Sequence, residues 1–205
     1  MSQKVFKIVR EMNLKDINTQ LALQCAPLIT GLKASNLLIV QNENVNKVKQ
    51  ILKNTDIFYY VLLASEKKTT MLLYKPHQLD LFISDKRIRN MLITKGYQEF
   101  TLASLLQLFQ VRYEDYRTGG KYFPHEMGLF LGYPIEDVEG FIKNKGKNFL
   151  YTGYWKVYEN LSEKLKLFQK FELAKETLIQ LVSYGMSIAE VINIFNNNGL
   201  QQVAV

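Results

Sequence analysis

Cysteine, histidine and long apolar runs are scarce in this 205-residue chain. It has one cysteine, Cys25, and two histidines, His77 and His125. A single cysteine cannot form an internal disulfide, which fits a reducing compartment. A common zinc site needs three or four Cys or His ligands, and this chain has three such side chains in total. A metalloprotease motif that begins at His125 needs a second histidine at position 129, but Leu129 stands there. We therefore expect no metal.

The chain also lacks an obvious export or membrane segment. The longest apolar run covers residues 57–64, whereas a membrane-spanning helix takes about 20 residues. Residues 1–20 lack the apolar core and cleavage site of a signal peptide. We expect a cytoplasmic protein with no membrane partner.

Length and charge suggest one domain, residues 1–205, with two compositional halves. Residues 1–100 carry the whole net charge of +7, while residues 101–205 are balanced. A basic half can attract nucleic acid, so a nucleic-acid-binding protein is one alternative. The lysines are scattered and arginine is scarce, so a solvated lysine surface is the favoured interpretation.

Hydrophobic spacing predicts a small sheet followed by helices. Strands are expected at residues 36–41, 57–64 and 69–74, and helices at 13–26 (capped by Asn13 and ended by Pro27) and 44–53. Further helices are expected at 85–95, 102–116, 124–131, 134–143, 162–184 and 187–195, ended by residues 196–199, with an aromatic strand near 149–157. The fold class is therefore α+β, a sheet of β-α-β-β order in residues 1–100 with a mostly helical half in 101–205.

Standard phosphate and catalytic motifs fail on specific positions. Gly119-Gly120-Lys121 precedes a predicted helix, but a Walker loop needs glycine where Asp115 stands and Ser or Thr where Tyr122 stands. A plain turn is favoured, although an anion site there stays open. Cys25 lies on the apolar stripe of a predicted helix and is interpreted as a small buried hydrophobe.

Residues 121–158 combine glycine, aromatic and lysine residues at unusual density. Gly128 and Gly132 share one helical face, which permits close approach of another segment. Acids at 136, 137 and 139 open the next helix, where the dipole favours them. Four lysines and five aromatic residues follow between 143 and 158. Lysines beside exposed aromatic rings can bind anions by charge and stacking, whereas the alternative is that the rings simply pack the core.

Three functions follow, in order of preference. The first is a non-catalytic binding module for a small anionic ligand or a protein partner. Its site is expected at the turn of Lys121, His125 and Glu126, together with Gly153, Tyr154, Trp155 and Lys156. The second is a hydrolase-like enzyme with His125 and Glu126 as the acid–base pair. The third is nucleic-acid binding through the basic half. The cofactor is unknown.

The same segment carries a resemblance to a known family. Residues 123–134, 137–138, 140–142, 144–146 and 153–158 together resemble an uncharacterised bacterial family, domain of unknown function 3793. Residues 25–27, 31–33 and 73–76 resemble its outer motifs. The resemblance implies no activity, cofactor or catalytic residue.

Overall fold

The computed structural model describes residues 2–197 and has an α+β fold. The elements in chain order are α1 (Gln3–Glu11), α2 (Ile17–Ile29), β1 (Ser35–Gln41), α3 (Val45–Leu52), β2 (Phe58–Ala64), β3 (Lys68–Tyr74), α4 (Pro76–Ile83), α5 (Lys86–Thr94), α6 (Leu102–Arg117), α7 (Met127–Phe130), α8 (Ile135–Lys143), β4 (Tyr151–Thr152), β5 (Lys156–Val157), α9 (Leu161–Ser183) and α10 (Ile188–Asn197). The predicted β-α-β-β order is confirmed by β1, α3, β2 and β3.

The main sheet is antiparallel, with β3 between β1 and β2. Leu38 lies opposite Met71, and Leu37 lies opposite Leu72, so alternate side chains enter opposite faces. The β2–β3 hairpin has a register shift after Val61. Because both faces of β3 are buried, the second half of the strand, residues 71–74, is a continuous apolar run rather than an alternating one.

Helices cover both faces of this sheet. One core layer joins Leu38 and Met71 to α2, α9 and α10. The other joins Leu62 and Leu72 to α4, α5, α6, α7 and α8. The long α9 therefore packs on α2 of the sheet-containing half, and the two compositional halves interleave in space.

The first predicted helix begins and ends later than its sequence indicated. Asp16, not Asn13, caps α2, because its carboxylate accepts a hydrogen bond from the Thr19 amide at 2.9 Å. Pro27 lies inside α2 rather than ending it. It removes one hydrogen-bond donor in the last turn, and Thr30 closes the helix by donating to the Ala26 carbonyl at 3.0 Å.

Other differences concern short elements. Helix α1 was not predicted, although Ser2 caps it and Val5 is fully buried beneath it. Helix α4 was also not predicted, although Pro76 occupies its first turn, where the missing N–H of proline is tolerated. The helix expected at 124–131 is the single turn α7. The strand expected at 149–157 is a separate hairpin of β4 and β5.

The remaining predicted helices agree with α3, α5, α6, α8, α9 and α10 within a few residues. Helix α10 continues through Asn197, beyond its expected end at 195. The remainder of the expected terminating run, residues 198–199, lies outside the described residues.

Candidate functional site

The β4–β5 hairpin folds back onto α8 and α9, and two glycines make this contact possible. A Cβ on Gly140 would lie 2.4 Å from Cγ of Tyr158, which follows β5. A Cβ on Gly153, at the hairpin tip, would lie 2.5 Å from the ring of Phe168. Both distances are impossible for real side chains, so hydrogen at these positions sets the approach of hairpin to helices.

Asp137, in the first turn of α8, fixes the hairpin by hydrogen bonds. Its carboxylate is buried, with 2% of the residue exposed. One oxygen accepts from Nε1 of Trp155 at 2.7 Å, and the other accepts from the backbone N–H of Tyr158 at 2.7 Å. Charge-assisted bonds of this length are among the strong ones. Asp137 thus orients the only tryptophan of the chain.

Trp155 is held on its ring faces and edges by other aromatic residues. Tyr133 stacks on it with centroids 4.9 Å apart, and Phe168 meets it edge-on at 4.7 Å. The ammonium of Lys33 lies over the Tyr133 ring, 5.3 Å from its centroid. Lys33 is buried, and its Nζ donates to Oδ1 of Asn36 at 3.3 Å. These contacts leave Trp155 with one defined orientation.

A cavity of about 260 Å³ opens between α7, α8 and the hairpin. Most of its walls are aromatic or aliphatic. Its lining residues are Phe123, His125, Met127, Gly128, Leu131, Tyr133, Asp137, Val138, Phe141, Tyr154, Trp155 and Lys156. Four of the seven residues predicted for a site, His125, Tyr154, Trp155 and Lys156, therefore line one concave surface. We call this space the aromatic cavity.

His125 lies half-buried between two rings of the aromatic cavity. Its imidazole centroid is 5.1 Å from that of Phe123 and 5.7 Å from that of Phe141. Its Nδ1 is buried and has no hydrogen-bond partner in the described part of the chain. Burial first, and then the positive charge of Lys95, lower the pKa of His125 below its ordinary value, against the opposing charge of Glu126. The ring is therefore neutral near pH 7.

Lys156 supplies the positive charge of the aromatic cavity. Its Nζ donates to the Gly146 carbonyl at 2.7 Å, and it lies 4.8 Å from the Phe149 ring centroid and 5.7 Å from that of Phe141. Within residues 2–197 no carboxylate lies in salt-bridge distance of it. The ammonium has three N–H donors, and Gly146 uses one of them.

The carboxylate of Glu126 is held by residues other than His125. Its buried carboxylate accepts from Nη1 of Arg112 at 2.8 Å and from the hydroxyl of Tyr97 at 3.3 Å. Arg112 also donates to the Lys95 carbonyl. Among the described residues, the Glu126 carboxylate is therefore bonded to Arg112 and Tyr97, and no hydrogen bond joins it to His125. Their use as an acid–base pair stays a prediction without geometric support.

Lys121, Gly153 and Tyr154 take different positions around the site. Lys121 does not line the aromatic cavity; it lines an adjoining cleft together with His125. The missing side chain of Gly153 leaves space for Phe168, and its contact with a ligand stays a prediction. Tyr154 lines the cavity, and its hydroxyl donates to Glu172 at 2.7 Å. Burial and this carboxylate raise the pKa of Tyr154, so the phenol stays protonated.

Sequence reasoning missed the most connected residue of the site. Asp137 was assigned only to the helix dipole, because the sequence contains nothing that pairs position 137 with Trp155, 18 residues later. Tyr133 and Phe141 were part of the motif segment but were not assigned to a site. The glycines at 128 and 146 were the available signal, because a Cβ there would lie 3.4 Å from Tyr133 and 3.1 Å from Phe141.

Other chemistries find little support in the described residues. Nowhere in residues 2–197 do three or more His, Cys, Asp or Glu side chains gather where they could hold a metal ion. Cys25 is fully buried, and burial raises its pKa to about 12, so the thiol is not a nucleophile near neutral pH. No helix in this part of the chain combines the length and apolar character needed to cross a membrane. Nucleic-acid binding by the basic half stays a prediction.

Comparison with known proteins identifies a family but no activity. The model of a family described as "Protein of unknown function (DUF3793)" matches residues 21–192, which include the whole aromatic cavity. Searches of curated proteins and of solved structures found no match.

Proposed function

The chain belongs to this family of unknown function, DUF3793, and we propose that it binds a small planar organic anion in the aromatic cavity. The observation that carries the proposal is a cavity of about 260 Å³ walled by Trp155, Tyr133 and Phe141. It also contains the ammonium of Lys156, which has no carboxylate partner among residues 2–197. Ligand sites are typically apolar pockets with a few converging polar groups.

The walls favour a flat, apolar ligand body. Aromatic residues surround the cavity, and offset stacking on such rings stabilises a ligand ring beyond the burial of its area. The volume suits a one- or two-ring compound rather than a large cofactor. A concave cavity of this size is also too small for a folded protein partner, so the small-ligand version of the binding module is preferred over the protein version.

The polar groups favour an anion. Lys156 has two N–H donors left after Gly146, and a ligand carboxylate can neutralise it. His125 offers a further donor, because proton transfer to its neutral ring is favoured once an anion lies beside it. The carboxylate of Asp137 does not compete, because Trp155 and the Tyr158 amide occupy its oxygens.

A binding role is preferred over catalysis because the site has no assembled acid–base pair, with Glu126 tied to Arg112. We place this binding module in the cytoplasm, where a single buried Cys25 is not exposed to oxidation.

Isothermal titration calorimetry with naphthoate and its neutral counterpart, naphthalenemethanol, tests the proposal. We expect naphthoate to bind roughly 10- to 100-fold more tightly than the alcohol. This ratio corresponds to the contribution of about 1.5–3 kcal/mol that a hydrogen bond to a charged group makes. In Lys156→Met this preference should disappear, whereas Lys156→Arg, which keeps the charge, should retain most of it.

Lys147→Ala is the matched control, since Lys147 is an exposed lysine of the same segment that does not line the cavity. It should bind naphthoate as the wild type does. The proposal is wrong if no aromatic acid binds at millimolar concentration, or if Lys156→Met keeps the full preference for the anion while its circular dichroism is native.

A further inference from the structure

A second cleft, about 840 Å³ in volume, adjoins the aromatic cavity and shares Phe123 and His125 with it as walls. The cleft runs between the C-terminal half of α6 and the turn that carries Lys121. Unlike the cavity, it is lined by several charged side chains. We call it the cationic cleft.

Two lysines give the cationic cleft its free positive charge. Lys95 and Lys121 line it, and within the described residues neither has a carboxylate in salt-bridge distance. Arg112 also lines it but is neutralised by Glu126 at 2.8 Å. The remaining acid, Asp115, packs its carboxylate over Gly120, where a Cβ would lie 2.2 Å from Oδ2.

The backbone holds Lys121 at the rim of this cleft. The Gly120 amide donates to the Asp115 carbonyl at 2.8 Å and ties the turn to the end of α6. Gly119 adopts a φ of +117°, which favours glycine. Because the turn is fixed at both glycines, the Lys121 side chain begins from a defined point beside Tyr122 and His125.

We propose that the cationic cleft is the second half of the same binding site and holds a phosphate group carried by the ligand whose ring occupies the aromatic cavity. This inference rests on the proposed function for the ring-binding half. It names the ligand class as an aromatic acid bearing a phosphate on a short chain.

Size and charge both support a tethered phosphate. The cleft is far larger than one phosphate ion, so an anion there is placed by a linker that enters past Phe123 and His125. A phosphate monoester carries close to two negative charges at pH 7. The ammonium groups of Lys95 and Lys121 give it two cationic partners in the cleft, whose remaining acid is Asp115. Lysine binds phosphate as a point charge and needs no bidentate geometry.

The test is calorimetry with matched ligand pairs: a benzoate bearing a para hydroxyalkyl chain, and the same benzoate with the chain phosphorylated. Chains of two, three and four carbons vary the distance between ring and phosphate. We expect at least one phosphorylated member to bind ten or more times more tightly than its alcohol. In the Lys95→Ala/Lys121→Ala double variant this ratio should fall close to one, with binding of the alcohol unchanged.

Two further variants separate the halves of the site. Lys147→Ala should keep the wild-type ratio, and Lys156→Met should weaken both members of each pair while keeping the ratio. If the alcohols bind but no phosphorylated member gains affinity, or if the gain survives in the double variant, the inference is overturned and the proposed function stands. If neither member binds, the proposed function itself has failed.

Discussion

Replacement of Asp137 by asparagine tests the hydrogen bonds that build the aromatic cavity. The wild-type carboxylate accepts one hydrogen bond from Trp155 Nε1 and one from the Tyr158 amide, both at 2.7 Å. In Asp137→Asn the side-chain oxygen can serve only one of these donors, and the new NH₂ group faces the other. A buried N–H therefore loses its partner without any change in volume.

The cost follows from the geometry. A hydrogen bond to a charged acceptor contributes about 1.5–3 kcal/mol, and a buried donor left without a partner costs about 1–3 kcal/mol. We expect Asp137→Asn to lower the free energy of unfolding by about 2.5–6 kcal/mol. The typical total is about 5–15 kcal/mol. Glu139→Gln, on the same helix but at an exposed pair with Arg87, should cost less than about 1 kcal/mol.

A double-mutant cycle of Asp137→Asn and Trp155→Phe isolates the hydrogen bond between the two side chains. The stability of each variant is measured by urea denaturation followed by circular dichroism. Trp155→Phe removes the indole N–H, and Asp137→Asn removes the charge that strengthens its hydrogen bond, so their effects should not add. We expect a coupling energy of about 1–3 kcal/mol. Effects that add within about 0.5 kcal/mol would refute the claim that Asp137 holds Trp155 in place.

Three further predictions concern the surroundings of the site. Gly140→Ala should destabilise the protein by about 1–3 kcal/mol, because the new Cβ meets Tyr158. The same change at an exposed helix position normally stabilises a protein. The change in the thermal unfolding temperature shows which of the two effects wins. Burial lowers the pKa of Lys33 to about 8, so between pH 8 and 10.5 only the lysine of the unfolded chain is still protonated. The free energy of unfolding should therefore rise by about 3 kcal/mol over this range in the wild type but not in Lys33→Met. Equal pH profiles of the two proteins in urea titrations would contradict this. Burial also lowers the pKa of His125, so the wild type should lose stability relative to His125→Asn as the pH falls below about 6.5. Parallel plots of unfolding free energy against pH for the two proteins would show that the ring is not desolvated.

The sequence predicted the sheet well because its signals are local. The run at 57–64 is dense in branched and aromatic residues, and the polar turn at 65–68 leads into a second apolar run, so the β2–β3 hairpin follows from neighbouring residues. Helix α8 was equally clear, with acids in its first turn and Lys143 in its last.

Features that depend on distant residues were not predictable in the same way. Nothing near Pro27 signals that packing on α9 keeps the last turn of α2 helical. His125 and Glu126 are adjacent in the sequence, and nothing near them signals that the Glu126 carboxylate pairs with Arg112 on α6. Their use as an acid–base pair stays a prediction.

In the candidate site, too, features set by neighbouring residues were predictable and features set by distant residues were not. The density of lysines and aromatic rings at 143–158 identified Trp155 and Lys156, which line the aromatic cavity. The residue that orients Trp155 came from α8, and only tertiary structure brings Asp137 within 2.7 Å of the indole. Residue type indicated where a ligand could bind, while the shape of the cavity required the fold.

The indole N–H signal of Trp155 gives the most direct measurement of the central claim, that a planar anion enters the aromatic cavity. Trp155 is the only tryptophan, so a ¹⁵N-labelled sample has a single indole resonance, and it reports from the cavity wall. We predict that naphthoate shifts this resonance in a saturable way and that Lys156→Met weakens the response. A resonance that stays unmoved while naphthoate binds elsewhere on the protein would contradict the account.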